Sequence, residues 1–404
     1  MEPKIRFKGF EDSWIGRKLT DVVSLYNGLT YTPNSIREKG TLVLRSSNVQ
    51  DGEITLNDNV YVESSVVNSP NVEKGDIIVV VRNGSRALIG KHAQIKNVMK
   101  DTVIGAFMAG MRSENPEFTN ALLGTPRFDY EVGINLGATI NQITNATFHS
   151  MSFGFPSNKE QKAIGKYFTS LDSQISASTS RLASLKQMKA ASLQAMFPQE
   201  GETVPKIRFK GFEGEWKKVK LNECLEISKE RNINGEYGIN EVLSVSDEEG
   251  VMNQIKLLGR SFAGKSVTNY KVLRTNQVVY TKSPLKAKPY GIIKVNKGDT
   301  GIVSVLYAVY DVKVNTNPDY IHYYFDPTFR INNYLLPLIN KGAKNTMNIS
   351  DEVSLQGYIS LPSLAEQQAI ASYFTSLDRQ ISLQSQRLEK LKQIKSACLD
   401  KMFV

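Results

Sequence analysis

The chain has few of the residues on which disulfide frameworks and metal sites depend. Its 404 residues include two cysteines, Cys224 and Cys398, and neither lies in a C-x-x-C pair. A disulfide scaffold and a cysteine-based zinc site are therefore both unexpected, and a reducing compartment fits. The three histidines lie far apart and lack the H-x-x-x-H spacing of a metal-binding helix. No metal site is predicted.

Long apolar segments are also missing. No run approaches the roughly 18 apolar residues of a membrane-spanning helix, and the N-terminal MEPKIRFKGF lacks the apolar stretch of a signal peptide. We therefore expect a non-exported, cytoplasmic chain without a membrane partner. Apolar residues make up 41% and charged residues 22%, a globular composition, and the length suits two or three folded units.

What the chain has in excess is positive charge. The formal net charge of +10 favours a polyanionic partner such as nucleic acid. Ten Lys or Arg and no acidic residue lie in the range 255–298, and five lie without an acid in the range 77–100. A solvated basic face would give the same pattern for a single run, but two runs with Asn, Ser and Tyr suit contacts to phosphates and base edges. The predicted DNA-binding residues are Arg82, Asn83, Ser85, Arg86, Lys91, Arg260, Lys265, Lys282, Ser283, Lys286, Lys288, Tyr290 and Lys344.

The chain contains two copies of one plan. The segment PKIRFKGFE occurs at Pro3–Glu11 and again at Pro205–Glu213, and a tryptophan follows each copy at the same distance. A second pair of blocks, Pro156–Phe197 and Pro362–Phe403, is identical at 25 of 42 positions. The long middles between these blocks barely match. Such a repeat suggests like ends that hold like partners or each other, and unlike middles that bind unlike targets; drift in surface domains is the alternative.

Both end blocks are predicted to be long helices that pair as a coiled coil. Apolar residues recur at alternating three- and four-residue steps, the 3.5-residue period of a coiled-coil seam. Ser157 with Glu160, and Ser363 with Glu366, have capping-box spacing at the helix starts, and Pro198 ends the first helix. The predicted seam residues are Ile164, Phe168, Leu171, Ile175, Leu182, Leu185, Ile370, Phe374, Leu377, Ile381, Leu388 and Leu391, with polar interruptions at Ser178, Lys189, Gln384 and Lys395.

Antiparallel pairing within the chain is favoured, because two tandem copies can then be related by a pseudo-two-fold axis. The alternative is two separate helices, each docked on its own domain. The middles are predicted to be strand-rich, since β-leaning runs alternate with Gly, Asn, Asp and Pro. The predicted strands are Leu42–Leu44, Ile77–Val81, Val278–Tyr280, Ile292–Val295 and Ile302–Val309.

The predicted fold class is α+β. Two tandem strand-rich mixed α/β domains, residues 1–155 and 199–361, are separated by two long helices, residues 156–198 and 362–404, which form the antiparallel coiled coil.

Two short motifs suggest catalysis. Gly259–Ser266 matches the P-loop pattern G-x-x-x-x-G-K-[ST], but a β-leaning run rather than a helix follows it, so a basic DNA-facing loop is preferred. Asn317–Tyr320 is one residue from the N-P-P-[YF] signature of amino-methyltransferases, but no glycine-rich cofactor strand accompanies it, and a proline turn is preferred. No other catalytic constellation is present. The alternatives left open are a P-loop nucleotide hydrolase acting on nucleic acid and an adaptor whose basic loops bind an acidic protein.

The duplicated order of start block, divergent middle and helical end block resembles the specificity subunits of type I restriction–modification enzymes. The resemblance covers essentially the whole chain. Each copy also has a Gly-Ala element followed by Ile and Thr or Ser, at Gly137–Thr144 and Gly342–Ser350. The segment Lys74–Ile78 is similar to that family's target-recognition domains, whereas Thr275–Val279 departs from it in the second copy.

The resemblance implies a non-catalytic DNA-recognition chain. Each target-recognition domain would read one half of a bipartite target on double-stranded DNA. The helices would act as spacer and dock two modification (methyltransferase) subunits, with ATP-dependent restriction subunits in the full complex. No cofactor is implied for this chain; S-adenosylmethionine, ATP and Mg would belong to the partner subunits.

Overall fold

The computed structural model describes residues 2–136, 141–264, 266–282, 285, 287–341 and 347–404. They form two compact units. Unit 1 is the chain up to Ser180 together with Gln386–Val404, and unit 2 is Arg181–Ser385. Both dividing points fall inside long helices, so these units differ from the four consecutive segments predicted above. Among the described residues, no helix combines the length and apolarity needed to cross a bilayer.

Unit 1 is a mixed α/β domain. Its strands are β1 Ile15–Lys18, β2 Val23–Asn27, β3 Ile36–Arg37, β4 Thr41–Leu44, β5 Val49–Gln50, β6 Glu53–Ile54, β7 Val60–Val62, β8 Ile77–Val80, β9 His92–Gln94, β10 Thr102–Ile104, β11 Met108–Ser113 and β12 Ser152–Phe155. Its helices are α1 Pro116–Leu123, α2 Pro126–Asn135, α3 Asn145–Ser150 and the first part of α4 Asn158–Ala195. The sheets are β2-β11-β8-β9 and β10-β4-β7-β3, and β1 pairs with β12, as β5 does with β6.

Unit 2 has the same general composition. Its strands are β13 Lys217–Lys220, β14 Leu225–Ile227, β15 Leu243–Ser246, β16 Gly250–Asn253, β17 Lys271–Leu273, β18 Val278–Thr281, β19 Ile292–Val295, β20 Gly301–Val303, β21 Tyr307–Val312, β22 Asn340–Lys341, β23 Met347–Asn348 and β24 Tyr358–Leu361. Its helices are α5 Gln254–Leu258, α6 Pro318–Phe325, α7 Thr328–Leu335 and the first part of α8 Leu364–Lys401. The sheet β14-β21-β18-β19 is accompanied by the strand pairs β13–β24, β15–β16, β17–β20 and β22–β23.

The two middles contain the same central sheet although their sequences barely match. The sheet β14-β21-β18-β19 repeats the strand order and antiparallel pairing of β2-β11-β8-β9. Two short helices follow the strand next to the edge in each unit, α1 and α2 after β11, and α6 and α7 after β21. The other strands differ: unit 1 has a second four-stranded sheet, whereas unit 2 has the two-stranded pairs β15–β16 and β17–β20. The middles therefore share a frame and differ in what surrounds it.

A buried polar corner shows how the same frame accepts different residues. In unit 1, Gly75-Asp76 leads into β8, with Gly75 at φ 99°, and the Asp76 carboxylate accepts a 3.1 Å hydrogen bond from Arg112. In unit 2, Asn276-Gln277 leads into β18, with Asn276 at φ 67°, and the Gln277 amide donates to Asp311 at 2.5 Å. In unit 1 the residue before the central strand accepts and its partner donates, whereas in unit 2 the residue before the strand donates and its partner accepts. The second copy's departure from the Gly-Asp pattern is therefore compensated by a change in its partner.

Four of the five predicted strands are confirmed, by β4, β8, β18 and β19. The fifth, Ile302–Val309, is wrong as a single strand. The chain turns between β20 and β21, where the Tyr307 N–H donates to the Ser304 carbonyl at 3.0 Å.

The start and end blocks make equivalent contacts in the two units. The Trp14 ring lies 6.2 Å from the Phe403 ring in unit 1, and the Trp216 ring lies 6.2 Å from the Phe197 ring in unit 2. All four side chains are buried among the apolar residues of their own unit. The sequence identity of the blocks is thus explained by a core that each unit builds in the same way.

Helices α4 and α8 have 38 residues each and begin where predicted. Ser157 and Ser363 accept hydrogen bonds from the N–H groups of Glu160 and Glu366, at 3.4 and 3.3 Å. The glutamate carboxylates do not complete a capping box. Each forms a two-bond ion pair with an arginine of the start block, Arg6 in unit 1 and Arg208 in unit 2, which ties that block to the helix.

The helix segments within each unit run antiparallel. In unit 1, Asp172 of α4 pairs with Lys395 of α8 at 2.6 Å, and the earlier Tyr167 contacts the later Cys398. Unit 2 repeats the arrangement, with Asp378 of α8 paired to Lys189 of α4 at 2.8 Å and Tyr373 bonded to Ser192. All predicted seam residues are buried or half-buried, as a helix-pairing seam requires.

Candidate nucleic-acid interface

The basic loop of unit 1 is the β8–β9 connection, Arg82–Lys91. All four residues of β8 are buried apolar side chains, which hold the strand in the centre of the sheet. The Val80 N–H donates to the Lys91 carbonyl and the Gly90 N–H to the Val80 carbonyl, at 2.8 and 2.9 Å. Gly90 closes this connection at φ 86°, a conformation that favours glycine. The intervening residues therefore project beyond the end of the sheet.

The cations of this loop are in solvent. Arg82, Arg86 and Lys91 are exposed, and no carboxylate among the described residues forms an ion pair with them. The Arg86 guanidinium is turned toward the Gly133 carbonyl, at 3.3 Å. Ser85, also exposed, donates its N–H to the Asn83 side chain at 2.9 Å. The five residues predicted in this loop thus form one surface with three unpaired positive charges.

Three residues beside the loop belong to the same surface and were missed from the sequence. The Asn83 side chain donates to the Ser46 hydroxyl, and the Asn141 side chain donates to the Gly84 carbonyl, each at 3.0 Å. The Arg82 guanidinium lies 5.1 Å from the centre of the Phe107 ring. The polar run Arg45-Ser46-Ser47-Asn48 directly after buried β4 was an available signal, whereas nothing local marks Phe107.

In unit 2 the equivalent β18–β19 connection carries lysines in a different state. Lys288 is 3% exposed, and its ammonium binds Asp247 at 2.6 Å and the Asp326 carbonyl at 2.9 Å. The prediction that Lys288 contacts phosphate is therefore wrong, because this ammonium is enclosed and already neutralised. Lys282 is half-buried and paired with Asp351 at 2.6 Å.

Asp351 holds two cations of the basic segment. Its two carboxylate oxygens accept from Lys271 and Lys282, each at 2.6 Å. Partial burial alone would raise the pKa of Asp351, but the hydrogen bonds from the two lysines outweigh it and lower the pKa. The Asp351 carboxylate is therefore ionised at neutral pH and offsets part of the charge that the sequence placed here.

Six of the ten cations in the basic segment 255–298 form ion pairs with acids from elsewhere in unit 2. The ion pairs are Lys271–Asp351, Arg274–Glu230, Lys282–Asp351, Lys288–Asp247, Lys294–Asp326 and Lys297–Asp319. Arg260 remains exposed, with its guanidinium 4.6 Å from the Phe262 ring centre. Tyr290 is half-buried, and its carbonyl accepts from the Tyr280 hydroxyl at 2.7 Å. Lys265, Ser283, Lys286 and Lys344 lie outside the described residues, and their assignments stay predictions.

A chain of charges connects this segment to the long helices. Asp326, at the end of α6, binds Lys294 of β19 at 2.9 Å and Lys189 of α4 at 3.3 Å. Lys189 also binds Asp378 of α8 at 2.8 Å. Burial would raise the pKa of Asp326, but the charges of Lys294 and Lys189 outweigh it and hold the pKa well below its usual range. The basic segment of unit 2 is thus joined to the long helices of that unit by ion pairs.

The P-loop interpretation is not supported. Gly259 ends helix α5 in the left-handed conformation, φ 77°, and residues 267–270 turn directly into strand β17. A phosphate-binding loop needs a strand before it and a helix after it. Asn317 is the cap of helix α6, where its side chain accepts from the Tyr320 N–H at 3.1 Å, and the Tyr320 ring is fully buried. The described residues contain no group of three or more His, Cys, Asp or Glu that could hold a metal ion.

The fold has a counterpart among solved structures. The crystal structure of the type I restriction–modification system S subunit from M. genitalium aligns with 100% of this chain and 99% of its own length. The TM-score is 0.63 at 13% sequence identity. At this identity the likeness concerns the fold, a duplicated α+β protein with two long helices.

The family is shown by sequence. The type I restriction modification DNA specificity domain matches the chain twice, at residues 11–187 and 213–393. The chain therefore belongs to this family, with one copy of the domain in each half.

Two curated relatives align with only part of the chain. The chain is 25% identical over 194 residues to the type I restriction enzyme StySPI specificity subunit of Salmonella potsdam, and 25% identical over 197 residues to the EcoKI specificity subunit of Escherichia coli strain K12. Each alignment covers 46% of this chain and 42% of the relative. The match thus spans less than half the length of either protein.

Proposed function

We propose that this chain is the DNA sequence-recognition subunit of a type I restriction–modification enzyme, and that each unit reads one half of a bipartite target. The chain supplies recognition rather than chemistry. Its long helices set the distance between the half-sites and dock two modification subunits, and restriction subunits join the full complex.

The observation that supports this proposal is the repeated frame with unlike loops. Each unit has its own copy of the same central sheet and of the same helix contacts. The connections after β8 and β18, by contrast, carry different side chains. A constant frame suits two like partners, and different loops suit two different base sequences, because base edges are read by particular side chains.

The cofactors follow from this division of labour. We propose that S-adenosylmethionine is bound by the modification subunits, and ATP and Mg by the restriction subunits. The chain itself would then require none of them to bind DNA.

A selection experiment tests the proposal. The full-length chain, alone and with modification subunits, is used to enrich duplexes from a random-sequence pool. We expect a motif of two short half-sites separated by unspecified bases. Exchange of residues 15–155 for the corresponding region of a related subunit should alter one half-site only. A motif in which both halves change, or enrichment without any motif, would contradict independent reading by the two units; retention of acidic protein instead of DNA would favour the adaptor.

A further inference from the structure

Each unit exposes a large apolar side chain at the same point of the shared sheet. Phe107 directly precedes β11 and is 54% exposed, and Leu306 directly precedes β21 and is 67% exposed. The two turns are built alike. The Met108 N–H donates to the Gly105 carbonyl at 2.8 Å, as the Tyr307 N–H does to the Ser304 carbonyl at 3.0 Å.

Both side chains lie beside the loops that carry the recognition residues. The Phe107 carbonyl accepts from the N–H groups of Val81 and Arg82, at 2.9 and 3.2 Å. In unit 2, Tyr307 pairs with Thr281, so Leu306 adjoins the position of Lys282. Phe107 therefore stands beside the exposed cations of its loop, and Leu306 stands beside the Lys282–Asp351 pair, each at the end of its sheet.

Single exposed apolar residues are common on protein surfaces and need no function. Here, however, the feature recurs at equivalent positions of two middles whose sequences do not otherwise correspond. The two residues share apolarity but not aromaticity, and Leu306 has no ring with which to stack on a base. An apolar group that suits both a Phe and a Leu side chain, and that bases offer in the major groove, is the thymine methyl.

We propose that Phe107 and Leu306 contact thymine methyl groups, one in each half of the target. The inference rests on the proposed DNA-reading function and adds a base preference to it. The Arg82 guanidinium over the Phe107 ring would stand next to the same base pair, where it is placed to donate to a neighbouring base edge or phosphate.

The test compares base preferences of matched variants in the random-duplex selection. The variants are Phe107→Ala and Leu306→Ala, and the controls are Val98→Ala and Val314→Ala. Val98 and Val314 are also exposed, but they lie at the opposite ends of β9 and β21 from the loops. Melting midpoints show whether each full-length variant is folded, which we expect because all four side chains are more than half exposed.

We expect a thymine preference in each half-site of the wild-type motif, lost in one half with Phe107→Ala and in the other with Leu306→Ala. Replacing that thymine by deoxyuridine, which lacks only the methyl group, should weaken wild-type binding about four-fold and leave the matching variant unaffected. The controls should return the wild-type motif.

The contrary outcomes are distinct. A wild-type motif that both variants reproduce would overturn this inference alone. If deoxyuridine did not weaken wild-type binding, and a variant bound more weakly than wild type by the same factor on thymine and deoxyuridine duplexes, the side chain would be an apolar wedge between base steps, and the inference would also be overturned. A wild-type selection without any motif would overturn the proposed function, and this inference with it.

Discussion

The basic segments of the two units differ in how their cations are held: those of unit 1 are exposed, and those of unit 2 are mostly ion-paired. In unit 1, Arg82, Arg86 and Lys91 project into solvent from the β8–β9 loop. In unit 2, the longer basic segment is largely held by carboxylates of the same unit, and Lys288 is enclosed. The unit with more basic residues in sequence thus offers a smaller share of them to a polyanion. Segment charge and surface charge are different quantities, because distant acids fold onto the segment.

The contact between the central sheet and the long helices also differs between the units, and it has more ion pairs in unit 2. The pair Asp172–Lys395 of unit 1 and the pair Asp378–Lys189 of unit 2 occupy equivalent helix positions. In unit 2, Lys189 also binds Asp326, which continues the chain of charges into the central sheet. The comparison predicts that unit 2 depends on ionic contacts for stability, and that unit 1 supplies more of the phosphate attraction.

The largest expected effect tests the ionic junction. Asp326→Asn should lower the free energy of unfolding by about 3 kcal/mol, because it leaves the buried Lys294 ammonium with only the more distant Asp247 carboxylate, at 3.5 Å. Unit 1 has Gly124 at the position of Asp326, so its junction is tested at the helix pair, where Asp172→Asn should cost about 1 kcal/mol or less because Lys395 is partly exposed. Urea unfolding of the full-length variants measures both. Equal losses would remove the proposed difference between the junctions.

The second effect concerns DNA affinity. Substituting Arg82, Arg86 and Lys91 together by Ala should flatten the log–log salt dependence of binding by about 0.9 for each lost phosphate contact. Lys282→Ala alone should change the slope little, because the Lys282 ammonium is half-buried and already bound to Asp351. Binding to nonspecific duplex DNA between low and moderate salt gives both slopes. A larger change with Lys282→Ala would reverse the comparison.

A third effect separates the units by pH. Burial, reinforced by Lys294, lowers the pKa of His322 to about 3, while Asn120 occupies the same position of the equivalent helix in unit 1. Because the folded-state pKa lies below the unfolded value of about 6.5, stability is complete above pH 6.5 and decreases as the pH falls toward 3. We expect a loss of about 1–2 kcal/mol at pH 5.

His322→Asn should remove this part of the pH dependence, as measured by urea midpoints between pH 7 and pH 5. His92, whose pKa is also lowered by burial, would leave a residual slope in both proteins. Superimposable profiles for the variant and the wild type would show that His322 is not buried in the neutral form.

The smallest effect would make unit 2 resemble unit 1. Asp351→Asn removes the carboxylate that holds Lys271 and Lys282. In the folded variant, Lys282 becomes available to a phosphate, and the salt slope should steepen by about 0.9 for that one contact. Binding is measured below the melting transition, because Lys271 loses its partner as well. An unchanged slope in a folded variant would mean that Lys282 does not face DNA.

The ends of each copy were predictable because their signals are local or repeated. Proline and serine mark the helix starts at Ser157 and Ser363, and the 3.5-residue period marks the seam. The role of Glu160 was misassigned, since its carboxylate binds Arg6, which lies 154 residues earlier. Both copies keep this Arg and Glu, so the repeat contained a signal that capping-box spacing concealed.

The middles were less predictable because their contacts are long-range. Lys271 and Asp351 are 80 residues apart, and Lys288 and Asp247 are 41 apart. A charge count within the segment includes the lysines but not the distant acids that pair with them in the folded chain. The shared central sheet was hidden for a related reason: its strands are short apolar runs, and many apolar sequences satisfy the same buried positions.

The pairing of β1 with β12, and of β13 with β24, has a consequence for how such proteins change. Ile15 lies opposite Phe155, and Lys217 lies opposite Leu361. The two ends of each middle are therefore next to each other. The distance between the two ends of each middle is then fixed by these strand pairs and does not depend on the length of the middle. We therefore expect that recombination could exchange one middle for another of different size and leave these strand pairs unchanged.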